Sequence, residues 1–81
     1  MTTTVLLFAS LAEKIGKREL QVPYQSGDTV ESIVNRLMQE YPVLETFKDT
    51  LLYAVNEEYA DLTTIVDSKA SLALIPPVSG G

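Results

Sequence analysis

Only one stretch of this 81-residue chain sustains an apolar stripe at helical spacing: Val30, Ile33, Val34, Leu37, Met38 and Tyr41. A lone helix of that kind has one face to bury, and the other apolar runs are too short to be its partner helices. The chain is therefore expected to lay this helix on a sheet, in a two-layer α+β arrangement. Its length supplies a single domain core, since domains usually need roughly 100 residues. Such a small core leaves modest stability and makes contact with other proteins a natural expectation.

The flanking segments fit that plan. Val5-Leu6-Leu7-Phe8-Ala9 reads as a strand apolar on both faces. Ser10 with Glu13 forms a capping-box pattern, and Leu11, Ala12 and Ile15 with Gly16 behind them predict a short helix with a glycine cap. Leu20 and Val22 alternate with polar residues in a second strand that stops at Pro23. After a loop through Ser26-Gly27, Asp28 or Thr29 caps the long helix, and Pro42 ends it. The helix's other face, with Glu31, Asn35, Arg36, Gln39 and Glu40, reads as solvated surface. Beyond a linking segment with Leu44 and Phe47, residues 51–55 form a strand, Asn56-Glu57-Glu58 a turn, and Tyr59-Ala60 the start of a return strand. Asp67-Ser68-Lys69 makes another turn before a last strand, residues 71–75.

Period-2 alternation sends Val5, Leu7, Leu72 and Leu74 towards the helix, and Leu6, Phe8, Ala73 and Ile75 towards the opposite face. No second long helix exists to cover those four. That face is a candidate partner surface.

Composition removes most side-chain chemistries. With no cysteine there is no disulfide, thiolate nucleophile or thiolate metal site, and with no histidine there is no imidazole acid–base pair or His-bound metal. No metal site is expected. A net charge of −5 without a Lys/Arg run opposes nucleic acid and acidic membranes as partners. The opening residues lack a basic segment, and no apolar run approaches the ~20 residues of a membrane span, so a soluble cytoplasmic protein is expected.

Carboxylates, hydroxyls, amines and the chain end remain for any chemistry, and the functional signal lies in the chain end, Pro76-Pro77-Val78-Ser79-Gly80-Gly81. Division of the chain into a domain over 1–75 and a tail over 76–81 follows from the two prolines, which terminate the last strand and stiffen its exit. From Pro76 the tail reaches about 20 Å if fully extended. Two residues without side chains let a narrow channel close around the backbone and expose the terminal carbonyl to a nucleophile. Once activated as an acyl-adenylate, that carboxyl can accept sulfur as a thiocarboxylate, nucleophilic through sulfur as a thiolate is.

The segments Val5-Leu6-Leu7-Phe8-Ala9, Leu51-Leu52-Tyr53-Ala54-Val55-Asn56 and Pro76-Pro77-Val78-Ser79-Gly80-Gly81 resemble the small subunit of molybdopterin synthase, over nearly the whole chain. The resemblance implies a ubiquitin-like β-grasp fold. It implies an E1-like adenylating enzyme that uses ATP, a sulfur-donor protein, and a large subunit that takes the tail into its active site and carries the catalytic side chains. Sulfur then passes to cyclic pyranopterin monophosphate within a heterotetramer. By the same resemblance Gly81 bears the sulfur without a phosphopantetheine arm, Gly80 is its slender neighbour, and Phe8, Tyr59 and Ile75 form the hydrophobic contact patch. The chain itself is expected to bind no cofactor. Ile75 stands where the family often has an aromatic residue, and Asp67-Ser68-Lys69 replaces a glycine-containing turn. Alternatives are a thiamine-pathway sulfur carrier, a ubiquitin-like protein modifier joined through Gly81 to lysines, and an interaction domain with an inert tail.

Overall fold

The computed structural model describes residues 1–77. Its elements are β1 (Thr2–Leu7), α1 (Ala9–Ile15), β2 (Glu19–Pro23), α2 (Val30–Glu40), a 3-10 helix (Pro42–Phe47), β3 (Leu52–Val55), β4 (Glu58–Ala60) and β5 (Ser71–Ile75). The strands form one mixed sheet in the order β2-β1-β5-β3-β4, with β1 and β5 parallel and the other pairs antiparallel. This is the expected β-grasp arrangement, with α2 laid across one face.

Three strands, β1, β5 and β3, have partners on both sides, and apolar residues fill them where they pair, at Val5 to Leu7, Leu72 to Leu74 and Leu52 to Val55. Val5 pairs with Leu72 and Leu7 with Leu74, and these four side chains, with Val30, Ile33, Val34 and Leu37 of α2, make the core. The 3-10 helix closes the same layer by burying Leu44, so it seals the helix side and leaves the opposite face open.

Helix α2 starts on a reciprocal capping box: Ser32 N donates to Thr29 Oγ1 at 3.3 Å, and Thr29 N to Ser32 Oγ at 2.9 Å. Asp28, expected as an alternative cap, instead anchors the loop. Its buried carboxylate accepts hydrogen bonds from Gln25 N at 2.8 Å, Ser32 Oγ at 3.0 Å and both terminal nitrogens of Arg36. Arg36 also donates to Pro23 O at 3.2 Å. The reading of Arg36 as solvated surface is thus corrected: a residue two turns into α2 folds back over the β2–α2 loop and clamps it.

Three further expectations shift. The first strand is Thr2–Leu7 rather than 5–9, because the β-branched Thr2, Thr3 and Thr4 pair with Pro23, Val22 and Gln21 and extend it towards the N-terminus. The capping box at Ser10 does not form. Phe8 occupies the N-cap position without a side-chain bond, and Ala9 turns the chain in the left-handed region at φ 50°, one residue before Ser10. Gly16 does cap α1 as expected, at φ 83°, donating its N–H to Ala12 O. The β3–β4 turn is two residues, Asn56 and Glu57 at φ 49° and 70°, so Glu58 already pairs with Val55.

Candidate functional site

The site begins with the register of the open face. Leu6 pairs with Glu19 and Ala73, Ala73 with Ala54, and Ala54 with Tyr59, so one row crosses all five strands with its side chains away from α2. One step towards the C-terminal end of β5, Ile75 pairs with Leu52. Phe8 follows Leu6 by two residues at the end of β1.

Along these rows large and small side chains alternate. Ala54 and Ala73 are buried although nothing among the described residues covers the face, because Leu6, Leu52, Tyr59 and Ile75 stand around them. Phe8 is 47% exposed, Leu52 50% and Tyr59 79%, values that place them among the few large apolar side chains left in water. The three residues expected to form the patch, Phe8, Tyr59 and Ile75, therefore do share one face. Sequence reasoning missed Leu52, because the uninterrupted run Leu51-Leu52-Tyr53 carries no alternation to say which side chain turns outward.

The chain leaves the sheet at the edge of this patch. Pro76 is still buried and Pro77 is exposed. Val78, Ser79, Gly80 and Gly81 lie outside the described residues. Two open grooves flank the exit. One of about 760 Å³ runs beside β1 and α1, lined by Leu6, Phe8, Ala12, Glu13, Lys17 and Arg18. The other, about 330 Å³, lies at the β3–β4 edge between Leu52, Tyr59 and Asp61.

Charge is unevenly spread across the face. Lys17 and Arg18 stand beside Glu19 on the β1–β2 side, whereas Glu57, Glu58 and Asp61 stand on the β4 side. Hydrogen bonds from the Thr63 hydroxyl and N–H, and from the Thr64 hydroxyl, hold the Asp61 carboxyl below the usual carboxylate range, so it is anionic at neutral pH. Below the sheet, burial pushes the Tyr53 phenol up, aided by Asp49, and its hydroxyl has no partner among the described residues. Among the described residues no three acidic side chains gather as a metal site, and no helix is long and apolar enough to cross a membrane. What the arrangement offers is an apolar face beside a chain exit.

Comparison with known proteins agrees with that description. The profile of the ThiS family matches residues 5–81. The molybdopterin synthase sulfur carrier subunit of Arabidopsis thaliana is 39% identical over 77 residues, covering 95% of this chain and 80% of that protein. The crystal structure of SAMP1, small archaeal modifier protein 1 of Haloferax volcanii, superposes with a TM-score of 0.89 at 32% identity, each chain fully covered. A chain of the protein–protein complex of subunits 1 and 2 of molybdopterin-converting factor from Helicobacter pylori shares the fold, with a TM-score of 0.69 at 23% identity and full coverage of both chains. The chain belongs to the ThiS family of ubiquitin-like β-grasp proteins, together with the molybdopterin synthase sulfur carrier subunits it resembles.

Proposed function

We propose that this chain is the sulfur carrier subunit of a molybdopterin synthase and carries sulfur on the backbone carboxyl of Gly81. One observation supports this reading above the others: the central strand β5 delivers the C-terminal segment at the rim of an uncovered apolar face. A partner that docks on Leu6, Phe8, Leu52, Tyr59 and Ile75 therefore receives the chain end beside its own surface. Gly81 lies four residues along the chain from Pro77, a reach of about 13 Å when extended. That is enough to enter a buried pocket.

In this reading a carboxylate oxygen of Gly81 attacks the α-phosphorus of ATP on an E1-like enzyme, and pyrophosphate leaves. A persulfide sulfur on a donor protein then displaces AMP, and a thiol of that protein cleaves the resulting acyl disulfide, leaving the thiocarboxylate and a disulfide on the donor. Within the large subunit, which carries the catalytic side chains, the sulfur passes to cyclic pyranopterin monophosphate, and hydrolysis returns the carboxylate. The Helicobacter pylori complex is the precedent for a two-subunit assembly, here taken as a heterotetramer. This chain contributes the docking face, the reach and the absence of side chains at Gly80 and Gly81.

The test exploits composition. The 81 residues contain no cysteine, so a thiocarboxylate is the only acidic thiol that loaded carrier presents to iodoacetamide near neutral pH. Carrier isolated from its native cell is expected to show the mass of one oxygen replaced by sulfur, and to take up one alkyl group. Deleting Gly81 should abolish both and stop sulfur transfer while leaving the unfolding midpoint unchanged. Full transfer activity in that variant would falsify the proposal.

A second reading is favoured by the likeness to SAMP1, whose name is that of a modifier protein. The same activated Gly81 then acylates a lysine amine, releasing AMP and forming an isopeptide bond. Extracts digested to expose Gly-Gly remnants on lysines, compared with and without Gly81, separate that activity from sulfur transfer.

A further inference from the structure

The chain leaves the sheet within reach of one particular amine. β1 and β5 run parallel, and their pairing ends with Leu7 beside Leu74, so Phe8 comes level with Ile75. Across β1, Leu7 N donates to Arg18 O at 2.9 Å, which sets Lys17 in that same end row, two strands from β5. Strand spacing of about 4.8 Å places it roughly 10 Å to the side. Pro77 stands up to about 7 Å further along the exit, so the direct path from Pro77 to Lys17 is about 12 Å. The chain from Pro77 to Gly81 spans about 13 Å, and an extended lysine side chain adds roughly 6 Å.

The other lysines are worse placed. Lys17 is exposed, lines the groove of about 760 Å³ with Leu6 and Phe8, and pairs with no carboxylate among the described residues. Lys14 stands on α1 outside that lining. Lys48 is on the α2 side, its Nζ donating to Asn35 Oδ1 at 3.4 Å. Lys69 precedes β5 and lies at its opposite end, on the order of 20 Å or more from Pro77. We propose that Lys17 is an internal acyl acceptor: when Gly81 carries a leaving group and no partner holds the tail, the two join in an isopeptide bond.

The step balances without a further reactant. The lone pair of the Lys17 amine forms a bond to the Gly81 carbonyl carbon, the bond to AMP or to a thiol breaks with its electron pair, and the amine proton passes to water. The product is a ring closed from residue 17 to residue 81, one water lighter than the free chain. Its carboxyl is blocked, so an activated carrier that meets no acceptor retires itself. In the cell this rests on the reading that Gly81 becomes activated, but the reach of Lys17 does not.

The test therefore supplies the leaving group directly. The full chain is made as a Gly81 thioester of 2-mercaptoethanesulfonate by intein cleavage and held at mildly alkaline pH. The expected product is one water lighter than the carboxylate, forms at a rate independent of protein concentration, and gives on trypsin digestion a branched peptide joining residues 15–18 to 70–81. Lys17→Arg should lower its yield at least tenfold, whereas Lys14→Arg and Lys48→Arg should leave it unchanged, with thermal unfolding showing that each variant is folded. Concentrated guanidinium chloride should move the branch. Lys69 is 12 residues from Gly81 and Lys17 is 64, so in the unfolded chain loop closure favours Lys69 about tenfold. Hydrolysis alone, a branch at another lysine of the folded protein, or the same branch in denaturant overturns the proposal. The carrier reading survives each of those results, because no adenylating enzyme or sulfur donor takes part.

Discussion

The two faces of the sheet are made from the same strands and have opposite fates. On the α2 side Val5, Leu72 and Leu74 are completely buried. On the other side Leu52, one residue away from buried Leu51 and Tyr53, and Tyr59 are half or more exposed. A domain this small has enough chain for one long helix, and that helix seals one face only. The lesson is that stability and recognition are carried by alternate residues of single strands. β5 contributes Leu72 and Leu74 to the core, and Ala73 and Ile75 to the open face.

The comparison breaks most visibly under truncation. Leu74→Ala removes buried methylenes from a fully packed site and is expected to lower unfolding free energy by about 2 to 5 kcal/mol. That is a large part of the ~4 to 12 kcal/mol available to a domain of this length. Leu52→Ala, on the opposite face, should stay within about 0.5 kcal/mol. Urea titrations of both variants check this, and equal losses would mean that the open face is covered in the free protein.

Binding should reverse the ranking. Tyr59→Asp is expected to leave the unfolding midpoint nearly unchanged and to weaken the large-subunit complex by roughly 2 to 4 kcal/mol, since a charge must then be desolvated where a phenol was buried. Calorimetric titration against the large subunit measures it. Unaltered affinity would move the docking surface elsewhere.

Much of this division was legible beforehand, for a physical reason. Alternation in Val5 to Leu7 and Leu72 to Leu74 is forced by the pleat, and α2's spacing is forced by its pitch, so both appear as residue patterns. What stayed hidden depended on tertiary position. Ala73 belongs to the open face as expected, yet is buried because taller neighbours shade it. The 3-10 helix at Pro42–Phe47 has too few turns to show a period. The Ser10 cap failed because Ala9 had already turned the chain. For the tail the sequence carried its own signal, in the two prolines and two glycines, and Val78 to Gly81 lie beyond the described residues.

The Asp28–Arg36 clamp was invisible because a mid-helix arginine usually faces water. It sharpens the comparison from the core side, since it fixes the loop that sets α2 on the sheet. The hydrogen bond from Arg36 is the largest influence holding the Asp28 carboxyl at about 2, below its ordinary 3.8. A folded-state value depressed in this way stabilises the fold fully above the unfolded value and is lost as pH falls from about 4 to about 2. The contribution is up to roughly 2 kcal/mol, the partly exposed guanidinium trimming it. Chemical unfolding from pH 6 to pH 2 should therefore show a fall in stability that is largely missing in Asp28→Asn. An identical pH dependence in the variant would remove the clamp from the account.

The smallest expected effect concerns the hairpin that carries Leu52 and Tyr59 to the open face. Its two-residue turn holds Asn56 at φ 49° and Glu57 at φ 70°. Asparagine tolerates the left-handed region, and Asn56 is further tied to β5, its Oδ1 accepting from Ser71 N at 3.1 Å. Glutamate has no such compensation, and a left-handed conformation costs an ordinary residue about 1 to 2 kcal/mol. Glycine removes that strain but gives the unfolded chain more freedom, offsetting roughly 0.4 to 1 kcal/mol. Glu57→Gly should therefore stabilise the free protein by about 0.5 to 1 kcal/mol net. The gain should appear in thermal unfolding of the isolated protein, with affinity for the large subunit changed far less than by Tyr59→Asp. If unfolding is unchanged, Glu57 makes a compensating contact that holds the turn. If affinity falls as far as in Tyr59→Asp, the acidic rim belongs to the docking surface as much as its apolar centre does.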